Sequence, residues 1–212
     1  MKESEILAEL TKIRAVITDS HVVYTSGKHG SAYVNKDAVY PHTHLTSRLC
    51  RAIAEKFLAK EPEVVLAPAV GGIILSQWVA YHLSELSGKE VLGVYAEKTE
   101  DGDGFVLRRG YDRLVAGKKT LVVEDVLTTG GSVKKAVETA KKAGADVLGV
   151  GALCNRGGIR AAELDAPELI ALLQVKLDAW DAADCPLCAR GVPVNTDVGK
   201  GREFLAKKAA AR

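Results

Sequence analysis

Short apolar runs alternate with longer amphipathic segments over residues 63–177 of the chain. The short runs are apolar on both faces, which is typical of strands buried on both sides of a parallel sheet. They read EVVLAPA (63–69), EVLGVYA (90–96), KKTLVVED (118–125), ADVLGVGALC (145–154) and ELIALLQVKL (168–177). This alternation predicts an α/β fold, with a parallel sheet flanked by helices.

The segments between these runs carry apolar residues at helical spacing. GGIILSQWVAYHLSEL (71–86) and SVKKAVETAKKA (132–143) predict helices that are ended by Gly88 and Gly144. An earlier helix is predicted from apolar residues that share one face, namely Leu45, Leu49, Ile53 and Phe57. The N-terminal segment SEILAELTKIRAVI (4–17) predicts an amphipathic helix that opens at Ser4.

The flanking segments are short and rich in turns. HVVYTSG (21–27) and SAYVNKD (31–37) have extended character, and the tail ends in a basic helix. We expect a single domain over residues 1–212, in which residues 1–45 and 176–212 form a small hood of peripheral elements.

Composition limits the classes of protein to consider. The chain has 212 residues, of which 47% are hydrophobic and 26% charged, with a net charge of +2. That charge predicts neither a nucleic-acid partner nor a membrane surface, and no apolar window approaches the roughly 18 residues of a membrane span. The N-terminus has no secretory pattern and the four cysteines are too sparse for a disulfide framework, so a cytoplasmic protein is expected.

The stretch LVVEDVLTTGGS (121–132) carries the clearest chemistry. Its strand ends in the acidic pair Glu124 and Asp125, and glycines and hydroxyls follow before a helix. Converging backbone N–H groups and the helix dipole suit a phosphate monoester, and the carboxylates suit neighbouring sugar hydroxyls. The pattern therefore predicts a ribose 5-phosphate site, in which a bulky replacement of Gly130 would block the cradle. The alternative is a tight turn with solvated acids.

This stretch resembles the 5-phosphoribosyl 1-pyrophosphate signature of the type I phosphoribosyltransferases. LAPAVGGIILSQ (66–77) is similar to the loop that receives the pyrophosphate in that family, and would donate from the backbone of residues 69–72. The resemblance implies that phosphoribosyl pyrophosphate binds at Val70, Gly71, Gly72, Lys98, Arg108, Glu124, Asp125, Val126, Leu127, Thr128, Thr129, Gly130, Gly131 and Ser132.

Within the family the orotate enzymes are the most similar. YTSGKHGSAYVN (24–35) is similar to their N-terminal segment, although Thr25 stands where they have a lysine. Arg156 in ALCNRGG occupies the place of their carboxylate-binding arginine. The resemblance implies a base site at Tyr33, Thr128 and Arg156. The alternative for Arg156 is an ion pair with a distant carboxylate.

The polar segment 97–113 stands where the family has a mobile lid, but it contains no histidine. The resemblance implies catalytic roles for Lys98, Arg109, Glu124 and Asp125, with Lys98 the first candidate for the pyrophosphate. The alternative is a solvated loop in which the arginines pair with nearby acids.

The resemblance also implies Mg²⁺ bound with the pyrophosphate and ribose of the substrate, and a homodimer. Orotate is the expected base, in pyrimidine nucleotide biosynthesis. Two alternatives stay open: a transferase for a purine or xanthine-type base, and a regulator that senses phosphoribosyl pyrophosphate without catalysis.

CPLC (185–188) has the spacing of half a zinc site, but the chain has no second cysteine pair. His42 and His44 would complete the set only if the hood folded against the C-terminal tail. We therefore expect a tight structural turn at CPLC, with Cys50 and Cys154 in a core helix and a core strand, and no metal ligands among the protein residues.

Overall fold

The computed structural model describes residues 1–24, 26–175 and 177–210, so Thr25 and its predicted substitution lie outside the described residues. The helices are α1 (Glu3–Lys12), α2 (Thr43–Phe57), α3 (Ile73–Ser87), α4 (Tyr111–Val115), α5 (Gly131–Lys142), α6 (Pro186–Ala189) and α7 (Gly201–Ala210). The strands are β1 (Val16–Ile17), β2 (Val22–Val23), β3 (His29–Gly30), β4 (Tyr33–Val34), β5 (Val64–Pro68), β6 (Leu92–Lys98), β7 (Phe105–Val106), β8 (Lys119–Leu127), β9 (Asp146–Asn155) and β10 (Leu169–Gln174).

The chain divides into two compact units. The first comprises Met1–Ile6 and His42–Val175. The second comprises Leu7–Pro41 and Lys176–Arg212, of which the structure describes 177–210 in the last segment. The predicted hood covers much the same residues as the second unit, and the single-domain assignment stays a prediction.

A six-stranded sheet organises the first unit, in the order β10-β9-β8-β5-β6-β7. Every neighbouring pair is parallel except β6 and β7, which form an antiparallel hairpin. All five residues of β5 are buried, because helices cover both faces of a parallel sheet. The predicted α/β fold is confirmed, and each of the five predicted strands is present.

Glycines on β9 make room for the predicted apolar face of α2. Phe57 is fully buried, and a Cβ added at Gly149 would lie 3.1 Å from its ring. A Cβ at Gly151 would lie 2.7 Å from Ile53 of the same helix. The helix can therefore pack close to the strand only because these two positions lack side chains, and burial of one such aromatic side chain stabilises the fold by about 3 kcal/mol.

Two helices end as the sequence predicts, and a third ends earlier. Gly88 closes α3 in the left-handed conformation and donates its N–H to the Ser84 carbonyl, while Gly144 has a φ of 86° just after α5. The N-terminal helix was predicted over residues 4–17, but it ends at Lys12. Arg14 takes a φ of 58°, and the chain then enters β1, which pairs with β4. Pairing of β1 thus replaces the last predicted turn.

The second unit contains two small antiparallel sheets, formed by β1 with β4 and by β2 with β3. Each of these strands is two residues long, in agreement with the short extended pieces expected from the sequence. Among the described residues of the whole chain, no helix is both long and apolar enough to cross a membrane.

Candidate active site

The carboxyl ends of the central strands meet at one edge of the sheet. Leu66 of β5 is level with Val122 of β8, and continuing this register by two residues puts Pro68 level with Glu124. Pro68 is also level with Ala96 of β6, and Leu127 of β8 with Asn155 of β9. The loops after β5, β6, β8 and β9 therefore leave the sheet side by side, where α/β proteins bind ligands.

The acidic pair lies near the carboxyl end of β8, at this edge of the sheet. Glu124 and Asp125 are 8% and 4% exposed. The Glu124 Oε1 accepts the Asp125 N–H at 3.1 Å, and the Asp125 Oδ1 accepts the Val126 N–H at 2.7 Å. These bonds orient two buried carboxylates, so the alternative of solvated acids on a turn does not describe this site.

The loop after β8 has the predicted strand–loop–helix form. Gly130 takes a φ of 74° and precedes α5, while Thr128, Thr129, Gly131 and Ser132 are exposed. A cavity of about 150 Å³ opens here, lined by Glu124 and residues 126–133. The first turn of a helix presents unpaired N–H groups and the positive end of its dipole, so the cavity suits an anion.

Gly130 is required for a reason different from the predicted one. A Cβ at this position would lie 2.7 Å from the Leu164 side chain and 3.2 Å from that of Ile159, on the side of the apolar core. A bulky residue at this position would therefore clash with the apolar core and push the loop out of place, and would not enter the phosphate cavity itself. At Gly131, by contrast, an added Cβ meets only the Thr129 hydroxyl, at 3.6 Å.

The loop at residues 69–72 connects β5 to α3. Val70 is 81% exposed at its tip. The Ala69 N–H donates to the Ala96 carbonyl and the Gly72 N–H to the Pro68 carbonyl. The N–H groups of Ala69 and Gly72 therefore already have backbone acceptors, and the predicted bonds from them to a ligand would require the loop to rearrange. Gly72 is needed for packing, since a Cβ would lie 2.7 Å from the Ala67 side chain.

The predicted lid begins as the hairpin of β6 and β7. Two of its three arginines pair with acids of the same segment. The Arg109 Nε lies 2.9 Å from Glu97 Oε1, and Arg108 lies 3.9 Å from Glu97 Oε2 through its Nε and 3.8 Å from Glu100 Oε1 through its Nη2. The hydrogen bond to Glu97 raises the pKa of Arg109. Lys98 is exposed at the end of β6 and makes no ion pair with any residue that the structure describes. The pairing of Arg108 and Arg109 is what the alternative of a solvated loop describes, and the catalytic role of Lys98 stays a prediction.

Arg156 lies just beyond β9, beside the phosphate loop. Its Nε donates to the Thr128 hydroxyl at 2.8 Å, so two of the three residues predicted for the base site are in contact. The side chain is half-buried, and within residues 1–24, 26–175 and 177–210 it has no carboxylate partner. The alternative of an ion pair is therefore not what this structure contains. Tyr33, the third predicted residue, belongs to the second unit.

Two neighbours of Arg156 hold its loop, and neither was predicted. Asn155 accepts the Ile159 N–H at 3.0 Å and donates to the Ile159 carbonyl at 2.8 Å. A Cβ at Gly157 would collide with the Thr128 carbonyl oxygen. An asparagine before a glycine pair at a strand end is a recognisable turn signal, and could have identified this brace.

A larger cavity of about 850 Å³ lies among residues at the opposite, amino ends of β5, β6 and β8. Its wall contains three ion pairs, which join Lys89 to Glu61, Lys118 to Glu63 and Lys119 to Glu61. These paired charges offer a ligand little electrostatic attraction, so size alone does not make this the functional site.

The CPLC turn adopts the predicted tight geometry, in which Cys185 caps α6 and accepts the Cys188 N–H. Cys50 and Cys154 are buried in α2 and β9, as expected. The histidines nominated as partners of the CPLC pair were the wrong ones. His42 and His44 are exposed at the start of α2, whereas His21 and His29 have ring nitrogens within 4.8 Å of both sulfurs.

Comparison with known proteins gives consistent matches. The model of the phosphoribosyl transferase domain matches residues 37–181. The orotate phosphoribosyltransferase of Desulforamulus reducens is 39% identical over 194 residues, which cover 91% of this chain and 95% of that protein. That of Pelotomaculum thermopropionicum is 38% identical over 193 residues, with the same coverage of 91% and 95%.

The fold also matches solved structures. The orotate phosphoribosyltransferase of Mycobacterium tuberculosis, in complex with 5-phospho-alpha-D-ribosyl 1-diphosphate, superposes with a TM-score of 0.61 at 22% identity. The match covers 82% of this chain and 96% of that one. At this identity the likeness is one of fold.

The contrast between Gly130 and Gly131 gives a testable prediction. Gly131→Val places bulk at the mouth of the cradle, and should weaken binding of phosphoribosyl pyrophosphate at least about tenfold, a loss of about 1.4 kcal/mol, with little change in thermal stability. Gly130→Val should lose both affinity and stability, because it adds a core clash to a positive φ. Calorimetric titration and thermal unfolding measure the two effects. Equal affinity of the Gly131 variant and the parent would exclude this loop as the phosphate site.

Proposed function

The chain belongs to the phosphoribosyltransferase family, among the orotate phosphoribosyltransferases, and from this we propose its reaction. It transfers the 5-phosphoribosyl group of 5-phosphoribosyl 1-pyrophosphate to orotate, giving orotidine 5′-phosphate and pyrophosphate. This is a step of pyrimidine nucleotide biosynthesis.

The choice of orotate rests mainly on Arg156. A half-buried guanidinium without a carboxylate partner is costly unless an anion meets it. The Thr128 hydroxyl occupies its Nε, which leaves the terminal nitrogens for a ligand. The carboxylate of orotate is such a ligand, and the planar guanidinium fork matches it in geometry. Uracil has no carboxylate and would leave the charge unmet.

In the proposed reaction, the bond between the anomeric carbon and the pyrophosphate oxygen breaks. The ring nitrogen of orotate forms the new bond to that carbon, its proton goes to solvent or base, and pyrophosphate leaves with the bonding electrons. Positive charge develops on the ribose ring and negative charge on the leaving group. The protein therefore accelerates the reaction through charges and dipoles placed near each.

Glu124 and Asp125 suit the ribose ring, on which positive charge develops. Their carboxylates are fixed by backbone N–H groups at the end of β8, next to the phosphate loop. We assign them to the ribose hydroxyls, either directly or through water bound to Mg²⁺. Adjacent carboxylate oxygens fit the preference of Mg²⁺ for oxygen ligands, and the ion would offset the charge of the pyrophosphate.

The positive charge of Lys98 suits the pyrophosphate leaving group, on which negative charge develops. Lys98 is exposed at the end of β6, next to the strand that leads into loop 69–72, and has no ion-pair partner among the described residues. Arg109 would first have to leave Glu97, so its catalytic role depends on rearrangement of the lid. A turn over residues 99–104, closed by the Thr99 N–H to the Gly104 carbonyl, gives the lid a defined tip that can exclude water.

An exposed face of α3 supports the proposed homodimer. Ile74 is 41% exposed and Tyr81 is 52% exposed, and Trp78 lies between them at helical spacing with its ring edge-on to Tyr81. Exposed apolar and aromatic residues on one helix face mark an interaction surface. We assign it to a second copy of the chain.

The four cysteines form no disulfide, which supports the proposed cytoplasmic location because reducing compartments keep disulfides from forming.

The substrate is tested by incubating the protein with phosphoribosyl pyrophosphate, Mg²⁺ and each of orotate, uracil, adenine, guanine and xanthine, while pyrophosphate release is followed. We expect orotate to be used in preference to uracil by at least about 10²-fold in kcat/KM, because the unmatched arginine penalises uracil. Use of a purine but not orotate would contradict the choice of orotate and leave only the assignment to the phosphoribosyltransferases. Tight binding of phosphoribosyl pyrophosphate without turnover of any base would point to the regulator.

Arg156→Ala should remove most of the preference for orotate over uracil while leaving affinity for phosphoribosyl pyrophosphate nearly unchanged. Arg156→Lys keeps the charge but loses the fork, and should recover only part of the preference. Arg160→Ala is the matched control, since Arg160 is exposed and paired with Glu163. An unchanged preference in Arg156→Ala would remove Arg156 from the base site.

Lys98→Ala should lower kcat by about 10²-fold with a smaller change in substrate affinity, because charge on the pyrophosphate grows as the bond breaks. Lys89→Ala is the control, as Lys89 pairs with Glu61 at the opposite edge of the sheet. Single-turnover kinetics separate the chemical step from binding. A loss confined to affinity would assign Lys98 to ground-state binding.

Light scattering after size-exclusion chromatography should give twice the chain mass for the parent protein and the chain mass for Tyr81→Glu, because a charge on the apolar face must be desolvated in the interface. Leu7→Glu, at a leucine that is 36% exposed on α1, should stay dimeric. A dimeric Tyr81→Glu variant would place the interface elsewhere.

A further inference from the structure

Four metal-ligand atoms converge inside the second unit, to which Tyr33 alone of the residues assigned to the reaction belongs. They belong to His21, His29, Cys185 and Cys188, and all lie within 4.8 Å of one another. His21 precedes β2, His29 lies in β3, and the two cysteines flank the first turn of α6. The cysteines are more than 150 residues from the histidines in sequence, so folding alone brings the set together.

The distances fit a tetrahedral ion. Zinc bonded to sulfur at about 2.3 Å and to nitrogen at about 2.0–2.1 Å separates its ligand atoms by about 3.3–3.8 Å. The Cys185 Sγ and Cys188 Sγ lie 3.6 and 3.7 Å from the His21 Nε2, and the Cys188 Sγ lies 3.3 Å from the His29 Nδ1. The two ring nitrogens are 2.8 Å apart, the distance of a shared hydrogen bond, and need to separate by only about 0.5 Å.

Hydrogen bonds from outside and within the cluster orient two of its ligand atoms for metal binding. The His21 Nδ1 lies 2.7 Å from the Val192 carbonyl oxygen, to which it can only donate, so Nε2 presents its lone pair to the cluster. Metal-bound histidines usually make such a bond through their second nitrogen. The Cys188 N–H donates to the Cys185 Sγ at 3.5 Å, which fixes the position of that sulfur beside the histidines.

Without an ion, the two ring nitrogens that face the cluster make a single hydrogen bond to each other, in which His29 Nδ1 donates to His21 Nε2 at 2.8 Å. An ion would take the place of the shared proton, so that both nitrogens bind it through their lone pairs. The proton of the fully buried His29 ring would then lie on Nε2, which has no hydrogen-bond partner among the described residues in either state. Two histidines, two cysteines and no carboxylate make a poor polar core but a complete Cys₂His₂ ligand set.

The second unit is small and its secondary-structure elements are short. Its four strands are two residues each, and its segments come from both ends of the chain. Small units with a limited apolar core usually need a disulfide or a metal. A bond network that joins β3, the residue before β2 and α6 would cross-link both segments at once.

We propose that His21 Nε2, His29 Nδ1, Cys185 Sγ and Cys188 Sγ bind one Zn²⁺ ion that holds the second unit together. All four positions of the tetrahedron are filled by protein, so the ion is structural and has no open position for substrate. The proposal does not depend on the transferase reaction.

Metal analysis of the untagged protein, purified with reductant and without chelator, should give about one zinc per chain. The double variant Cys185→Ser/Cys188→Ser should contain almost no zinc. Two controls should keep the full content: Cys50→Ala, which removes a core thiol whose pKa burial raises to about 12, and His44→Gln, which removes an exposed histidine.

The parent protein also gives a result that does not depend on any variant folding. After replacement of zinc by Co²⁺, it should show sulfur-to-cobalt charge transfer and the intense visible bands of a tetrahedral site. Removal of the ion by a chelator should lower the melting temperature by at least about 5 °C, and zinc should restore it.

Three outcomes would overturn the proposal. The first is a parent protein that contains no zinc and takes up none in competition with a chromophoric chelator. The second is full zinc content in the double cysteine variant. The third is a Cys185–Cys188 disulfide in place of the ion, which would make the pair a redox element.

Discussion

The hydrogen-bonded register between β5 and β8 is the constraint on which the first unit depends. Both strands run toward the same edge of the sheet, and continuing their register puts Pro68, the last residue of β5, level with Glu124, three residues before the end of β8. The loop to α3 and the loop to α5 therefore start from neighbouring points, and each leads into a helix N-terminus. A shift of one residue would exchange the sheet faces on which Glu124 and Asp125 lie, and would move the starts of the two loops apart.

Close packing sets the shape of these loops as much as hydrogen bonding does. Gly72, Gly130 and Gly157 each occupy a place where a side chain would meet Ala67, Leu164 or the Thr128 carbonyl. The Gly157 contact presses the Arg156 loop against the phosphate loop, and the bond from Arg156 to Thr128 follows from that proximity. The Arg156 loop and the loop after β8 are thus one packed assembly, and the position of the guanidinium depends on both.

The second unit follows a different principle. Its strands are too short to form a core of their own, and its most buried polar residues are the histidines of the ligand set. Where apolar burial is limited, a few strong and directional bonds can replace it. Zinc bound by ligands from both ends of the chain would make the folding of this unit depend on metal, while the sheet of the first unit depends on burial.

The sequence alone determined the α/β fold, the five strands, the helix ends at Gly88 and after α5, and the loop of residues 124–132, because each depends on residues adjacent in the chain. Tertiary structure decided the rest. It tied Arg108 and Arg109 to Glu97 and left Lys98 without an ion pair among the described residues, and it brought His21 and His29, rather than His42 and His44, to the CPLC turn. Composition and local spacing do not encode such pairs, because the direction of a side chain and its distant neighbours are fixed only when the chain packs.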